Sequence, residues 1–147
     1  MKCKERQSVM DRIIVNANLA QLTAISRFVT SWARDAGFDE ERIQDIELAV
    51  EELCTNIIQH GYSPGSSGTI EIRCEDEGEW GSIYILDRAS HFDPCSWSSS
   101  PSRKDISTTK PGGRGIAIVN RLVDGLEYEE NPDGGNCVRM IKKKQSN

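Results

Sequence analysis

Glu51-Glu52-Leu53-Cys54-Thr55-Asn56-Ile57-Ile58-Gln59-His60-Gly61-Tyr62 is the stretch on which the reading of this chain turns. Ile43, Ile46, Val50, Leu53 and Ile57 recur at helical spacing, so the segment reads as an amphipathic helix with Asp39 as its N-cap. Glu52, Asn56 and His60 stand at successive i, i+4 positions. At about 100° per residue they form one polar ridge beside the apolar stripe. Glu40, Glu47 and Glu51 lie away from the stripe and read as solvated.

Before this helix, the apolar run in Asp11 to Asn16 predicts a strand, and Asn18 caps a first helix that runs to Ala36 and stops at Gly37. Leu22, Ile25, Phe28, Val29, Trp32 and Ala33 give its apolar face. After Tyr62, the Gly61 to Gly68 segment with Pro64 reads as a loop. Thr69 to Glu75 and Glu79 to Asp87 then form an antiparallel pair around a turn at Gly78. Residues 88–113 are rich in Ser, Thr, Pro and Gly, too long for an inert connection, and read as a mobile lid. Gly115 to Val123 is a short helix. Leu126 to Glu130 and Asn136 to Lys143 are strands joined at Asp133-Gly134-Gly135. The order β-α-α-β-β-lid-α-β-β predicts an α+β fold, with helices packed on one face of a mainly antiparallel sheet.

The chain has 147 residues, which is most simply a single domain over residues 1–147. A net charge of −5 with scattered basic residues argues against a nucleic-acid surface and leaves room for a basic protein partner. Five cysteines, odd in number and without a Cys-x-x-Cys pair, indicate neither a disulfide framework nor a zinc site and suit a reducing cytoplasm. No apolar run approaches the ~18 residues that cross a bilayer, so no membrane role is expected.

Three constellations carry possible chemistry. On the helix flank, the Asn56 carbonyl could ligate a hard cation such as Mg²⁺. Glu52, one turn earlier, could take a proton from an attacking hydroxyl. For an arbitrary helix, an exposed polar pair is the commoner explanation of Glu52 and Asn56. Lys110-Pro111-Gly112-Gly113-Arg114-Gly115-Ile116 stands directly before a helix, where glycines let backbone N–H groups approach phosphate. A hinge or a tight turn would explain the same glycines. At the end of a strand, Asp87 could accept from an exocyclic amine such as that of adenine, with Phe92 closing the apolar side. It could equally cap the turn.

In this order the three constellations resemble the GHKL ATPase superfamily with its Bergerat ATP-binding fold, a two-layer sandwich with a mobile ATP lid. Most similar are the small stand-alone anti-sigma factor serine kinases of bacterial partner-switching systems. The resemblance runs from Asp11 to Lys143. Glu52-x-x-x-Asn56 with His60-Gly61-Tyr62 looks like the N-box, Asp87 with Phe92-Asp93-Pro94 like the G1 box, and Gly113-Arg114-Gly115 like the G2 box. It implies ATP and Mg²⁺ as cofactors, Glu52 as general base and Asn56 as the Mg²⁺ ligand. It also implies Asp87 as the reader of adenine, Gly113, Arg114, Gly115 and Ile116 along the phosphates, and His60, Ala89, Phe92, Thr109 and Lys110 as further nucleotide contacts. The implied partners are a sigma factor and a STAS-type anti-sigma factor antagonist, with a homodimer as the assembly.

The chain departs from the pattern in the G1 box, where Asp-x-Gly has become Asp87-Arg88-Ala89 and His91 stands where a small residue is common. The Ala89 methyl obstructs the turn if the native φ is positive and is tolerated if it is negative. The alternative from a different class is therefore a binding module that sequesters a partner without transferring phosphate. A sensor histidine kinase fragment fits less well, because no helical hairpin with a phosphoacceptor His precedes the first strand.

Overall fold

Alternation of apolar and polar residues gives each strand one face for the helices and one for other contacts. The computed structural model, which describes residues 10–62, 68–89, 113–131 and 134–145, turns that alternation into a single five-stranded sheet. β1 (Asp11–Asn16), β2 (Thr69–Asp76), β3 (Trp80–Asp87), β4 (Gly125–Glu130) and β5 (Asn136–Lys143) lie in the order β1-β2-β3-β5-β4, with every neighbouring pair antiparallel. α1 (Leu22–Ala36), α2 (Glu40–Asn56) and α3 (Gly113–Leu122) supply the second layer. The α+β expectation holds, and so does the order of elements.

The core lies between these layers. Ile25, Val29, Trp32 and Ala33 of α1, and Ile43, Ile46, Val50 and Leu53 of α2, meet Ile70 and Ile72 of β2 and Ile83 and Ile85 of β3. Each such side chain contributes about 1.5–3 kcal/mol on leaving water. Helix ends follow local chemistry. Asp39 Oδ1 accepts from the Arg42 N–H at 2.9 Å, and Gly37, at φ 99°, ends α1 in the left-handed conformation that favours glycine.

Several expectations are corrected. Asn18 leads into a 3₁₀ turn, Leu19–Gln21, and makes no side-chain capping bond, so α1 proper starts at Leu22. Glu47 is not simply solvated: it accepts a hydrogen bond from Ser26 of α1. α3 begins at Gly113, so Gly113, Arg114 and Gly115 form its first turn rather than a loop before it. The lid, with Phe92, Thr109 and Lys110, lies outside the described residues apart from its ends. Cys54 and Cys74 are free and buried, but Cys137 on the outer sheet face is disulfide-bonded. Spacing along the chain could not reveal that, because a bridge depends on distance in the fold.

One glycine of β3 is fixed by packing. Gly81 faces the helices beneath Trp32 and Phe38, whose ring centroids are 5.7 Å apart. A Cβ there would stand 2.6 Å from the Trp32 ring and 3.0 Å from the Phe38 ring. Gly81→Ala is expected to cost about 1–3 kcal/mol through overpacking, read as a lower urea midpoint at unchanged m-value.

Candidate functional site

Residues of like parity on β3 share a face, so Asp87 follows Ile83 and Ile85 in the row that faces the helices. A carboxylate at the end of an apolar row is buried, with 3% of its surface exposed, and burial of such a group demands partners. Ala89 N–H donates to Asp87 Oδ1 at 2.7 Å, and Asn136 Nδ2 donates to the same oxygen at 2.9 Å. Asn136 stands directly opposite on β5, is itself buried, and accepts from the Tyr128 hydroxyl of β4 at 2.7 Å.

The turn that feeds β5 is shaped to the same carboxylate. Gly134 and Gly135 have φ of 101° and 90°. A Cβ on Gly135 would fall 1.8 Å from the Asp87 carbonyl oxygen and 2.4 Å from Arg88 Cα. Gly135 therefore does more than help reverse the chain: it lets β5 start flush against the end of β3.

The other candidate residues lie on α2. Glu52 is half-buried, and Asn56 is 6% exposed, its Nδ2 without a hydrogen-bond partner among the described residues. At Asn56 the α-helix gives way to one π-helical turn, Ile57–Gly61, closed by Tyr62 N–H donating to the Ile57 carbonyl at 3.2 Å. The extra residue per turn takes His60 off the ridge. Glu52 and Asn56 remain an i, i+4 pair, whereas His60 is exposed in the π turn.

That turn delivers two contacts to the end of β3. The Tyr62 hydroxyl accepts from the Arg88 N–H at 2.8 Å and donates to the Thr69 carbonyl at 2.7 Å. Gly61 lies so close to Ala89 that a Cβ on it would come within 2.9 Å of the Ala89 methyl. No described non-glycine residue has a positive φ, Ala89 included, so the departure from Asp-x-Gly is accommodated by a facing glycine. Burial pushes the Cys54 thiol up to about 12, with the nearby Asp87 and Glu51 charges adding to it. The Tyr62 phenol is also raised, chiefly by burial. Neither is a nucleophile at neutral pH.

The structure thus joins Asp87 and Ala89 at the end of β3 to Gly61 and Tyr62 beyond α2, with Asn56 and Glu52 on the preceding turns of that helix. Ile116 of α3 is buried in the core that joins them. Gly113 to Gly115 supply the first N–H groups of a ten-residue helix, which suit a negatively charged group. The buried carboxamide of Asn56 fits Mg²⁺ and phosphate, since Oδ1 suits a hard cation and the partnerless Nδ2 suits a phosphate oxygen. Sequence reasoning missed Asn136, Tyr128, Gly135 and the hydroxyl role of Tyr62. A polar residue heading the β5 row that continues with Val138 and Met140 was the available signal for Asn136.

Residues 15–142 match the family model of the histidine kinase-like ATPase domain. The chain belongs to this family. It is 32% identical to the serine-protein kinase RsbW of Halalkalibacterium halodurans over 119 residues, covering 78% of this chain and 70% of that protein. It is 30% identical to an anti-sigma F factor of Clostridium beijerinckii over 144 residues, covering 96% of this chain and 88% of that protein. A crystal structure of the RsbU and RsbW domains of a Mycobacterium tuberculosis protein superposes with a TM-score of 0.64 at 19% identity, over 92% of this chain and 32% of that one. The histidine kinase-like ATPase fold of the chain follows, in agreement with the arrangement read from its motifs.

Two adjacent glycines separate backbone strain from collision. Gly134→Ala meets nothing within 4 Å and carries only the left-handed penalty of about 1–2 kcal/mol. Gly135→Ala adds a backbone collision beside Asp87 and is expected to lose more than about 3 kcal/mol. Urea titration of the two variants, side by side, measures the difference.

Proposed function

We propose that this chain is an ATP-dependent protein-serine kinase that acts as an anti-sigma factor, holding a sigma factor inactive and phosphorylating an antagonist on serine. The observation that carries the reading is Asn56, one turn from the half-buried Glu52, itself buried and with its Nδ2 unpartnered among the described residues. Relatives named serine-protein kinase and anti-sigma F factor support it.

In this reading Asp87 accepts from the purine amine, and the N–H groups of Gly113, Arg114 and Gly115 face the phosphates. Asn56 holds Mg²⁺, which supplies positive charge to a phosphoryl group in transfer. Glu52 takes the proton from the serine hydroxyl as it attacks. The N-terminal dipole of α3 favours the same anionic groups. Thr109, Lys110 and Phe92 are assigned to the lid, and His60 to the rim of the pocket.

The non-catalytic alternative drew its support from Ala89. That support weakens, because Ala89 sits at negative φ against Gly61 and its N–H is engaged by Asp87. The partners are assigned as a sigma factor and a STAS-type antagonist, the assembly as a homodimer of single-domain chains. No described helix is long and apolar enough to cross a membrane. We assign the chain to the cytoplasm with its sigma factor, although a disulfide at Cys137 is unusual for that compartment.

The test is incubation with labelled ATP, Mg²⁺ and the antagonist encoded nearest to this chain. Phosphoserine on the antagonist is expected. Glu52→Ala should lower the transfer rate by about 10²–10⁴-fold while nucleotide still binds, and Asn56→Ala should weaken the Mg²⁺-dependent part of binding. Nucleotide binding with no transfer by the unaltered chain would favour the non-catalytic module.

A further inference from the structure

We propose that Asn136, oriented by Tyr128, is the positioning residue that aims the Asp87 carboxylate at the purine and so sets the preference for an amine-bearing base. The proposal rests on the assignment of Asp87 to the purine amine. None of the three boxes named above contains Asn136 or Tyr128.

A carboxylate at a strand end can rotate about its Cβ–Cγ bond. The Ala89 N–H bond at 2.7 Å is a local two-residue contact that any Asp at such a turn can make. The Asn136 Nδ2 bond at 2.9 Å comes from a different strand, 49 residues away in sequence, and ties the same Oδ1 to the sheet. With one oxygen held from two directions, the plane of the carboxylate is set.

Asn136 is suited to this because a carboxamide carries a donor and an acceptor on one rigid group. Its Oδ1 accepts from Tyr128 at 2.7 Å, which leaves Nδ2 directed at Asp87. The reverse orientation would set two acceptor oxygens against each other. A weaker contact of Nδ2 with the Ala89 carbonyl, at 3.5 Å, points the same way. Both Asn136 and Asp87 are almost fully buried, at 2% and 3% exposure, so water is a poor substitute for either partner. Tyr128 pairs with Val138 in the register of β4 and β5, and its ring packs on the core, which fixes where its hydroxyl ends.

A residue that only satisfied a buried charge would affect every nucleotide alike. A residue that aims Asp87 affects the base that Asp87 reads. The experiment therefore compares ATP with purine riboside triphosphate, in which hydrogen replaces the amine, by equilibrium binding to the full chain. Circular dichroism and thermal unfolding establish that each variant is folded. The unaltered chain should prefer ATP by about tenfold, the discrimination expected of a buried hydrogen-bonding group. Asn136→Ala should lower ATP affinity by about tenfold and leave the purine riboside nucleotide within twofold, so that the preference collapses. Tyr128→Phe, a milder change that keeps the ring, should reduce the preference by about threefold.

Equal loss of both nucleotides in Asn136→Ala, or no loss of either, overturns the proposal, as does an unchanged preference in Tyr128→Phe. Asp87→Ala separates this failure from a failure of the underlying reading. If Asp87→Ala abolishes the preference and Asn136→Ala keeps it, only the positioning role falls. If the unaltered chain shows no preference, or Asp87→Ala retains it, the assignment of Asp87 to the amine falls and the positioning role with it.

Discussion

The buried carboxylate of Asp87 is the constraint around which one end of this molecule is organised. Taking such a group out of water costs several kcal/mol unless donors replace the lost hydration. Here the donors include the Ala89 N–H and the Asn136 amide. The second exists only if β3 and β5 pair as far as Asp87 and Asn136, the last rung of their ladder. Pairing to that rung in turn requires Gly135, because any side chain there would strike the Asp87 carbonyl. Strand register, turn chemistry and the polar site are therefore one problem with one solution.

At the turn that follows α2 the corresponding constraint is steric. Ala89 occupies a position where its methyl touches the main chain of the α2 terminus, and only glycine at 61 leaves room for it. The π turn then has a mechanical consequence. One residue more than an α-turn would need lets the chain pass Ala89 and carry the Tyr62 hydroxyl between Arg88 and Thr69. A regular helix would have kept His60 above Asn56. The π turn gives up that alignment, and the end of α2 is instead bound to the ends of β2 and β3.

Much of this was legible in the sequence, for reasons that differ by element. The apolar rows of α1, α2 and the five strands follow from periodicity, and Gly37, Asp39 and Gly78 mark boundaries by backbone chemistry that is local. Glu52, Asn56 and Asp87 stood out because polar residues interrupt or flank apolar rows. What escaped the reading depends on contacts distant in sequence. Asn136 meets Asp87 only through strand pairing, Glu47 meets Ser26 only through packing of α2 on α1, and the disulfide at Cys137 follows no spacing rule. The π turn escaped for a different cause: Ile57 to His60 carry no proline or glycine, so periodicity alone continues the α-helix through them.

Asp87 and Asn56, both buried at the candidate site, stand in opposite conditions, and the contrast bears on how it works. Asp87 has hydrogen bonds supplied within the fold, whereas Asn56 Nδ2 has none among the described residues. An unsatisfied buried amide costs about 1–3 kcal/mol. A ligand that supplies the missing partner recovers it. On the kinase reading the base-recognition half is thus built in advance, while the metal and phosphate half is completed only on binding. Binding energy at the phosphate end is then spent on ordering groups that must act in the transfer, and the base end contributes orientation at little further cost.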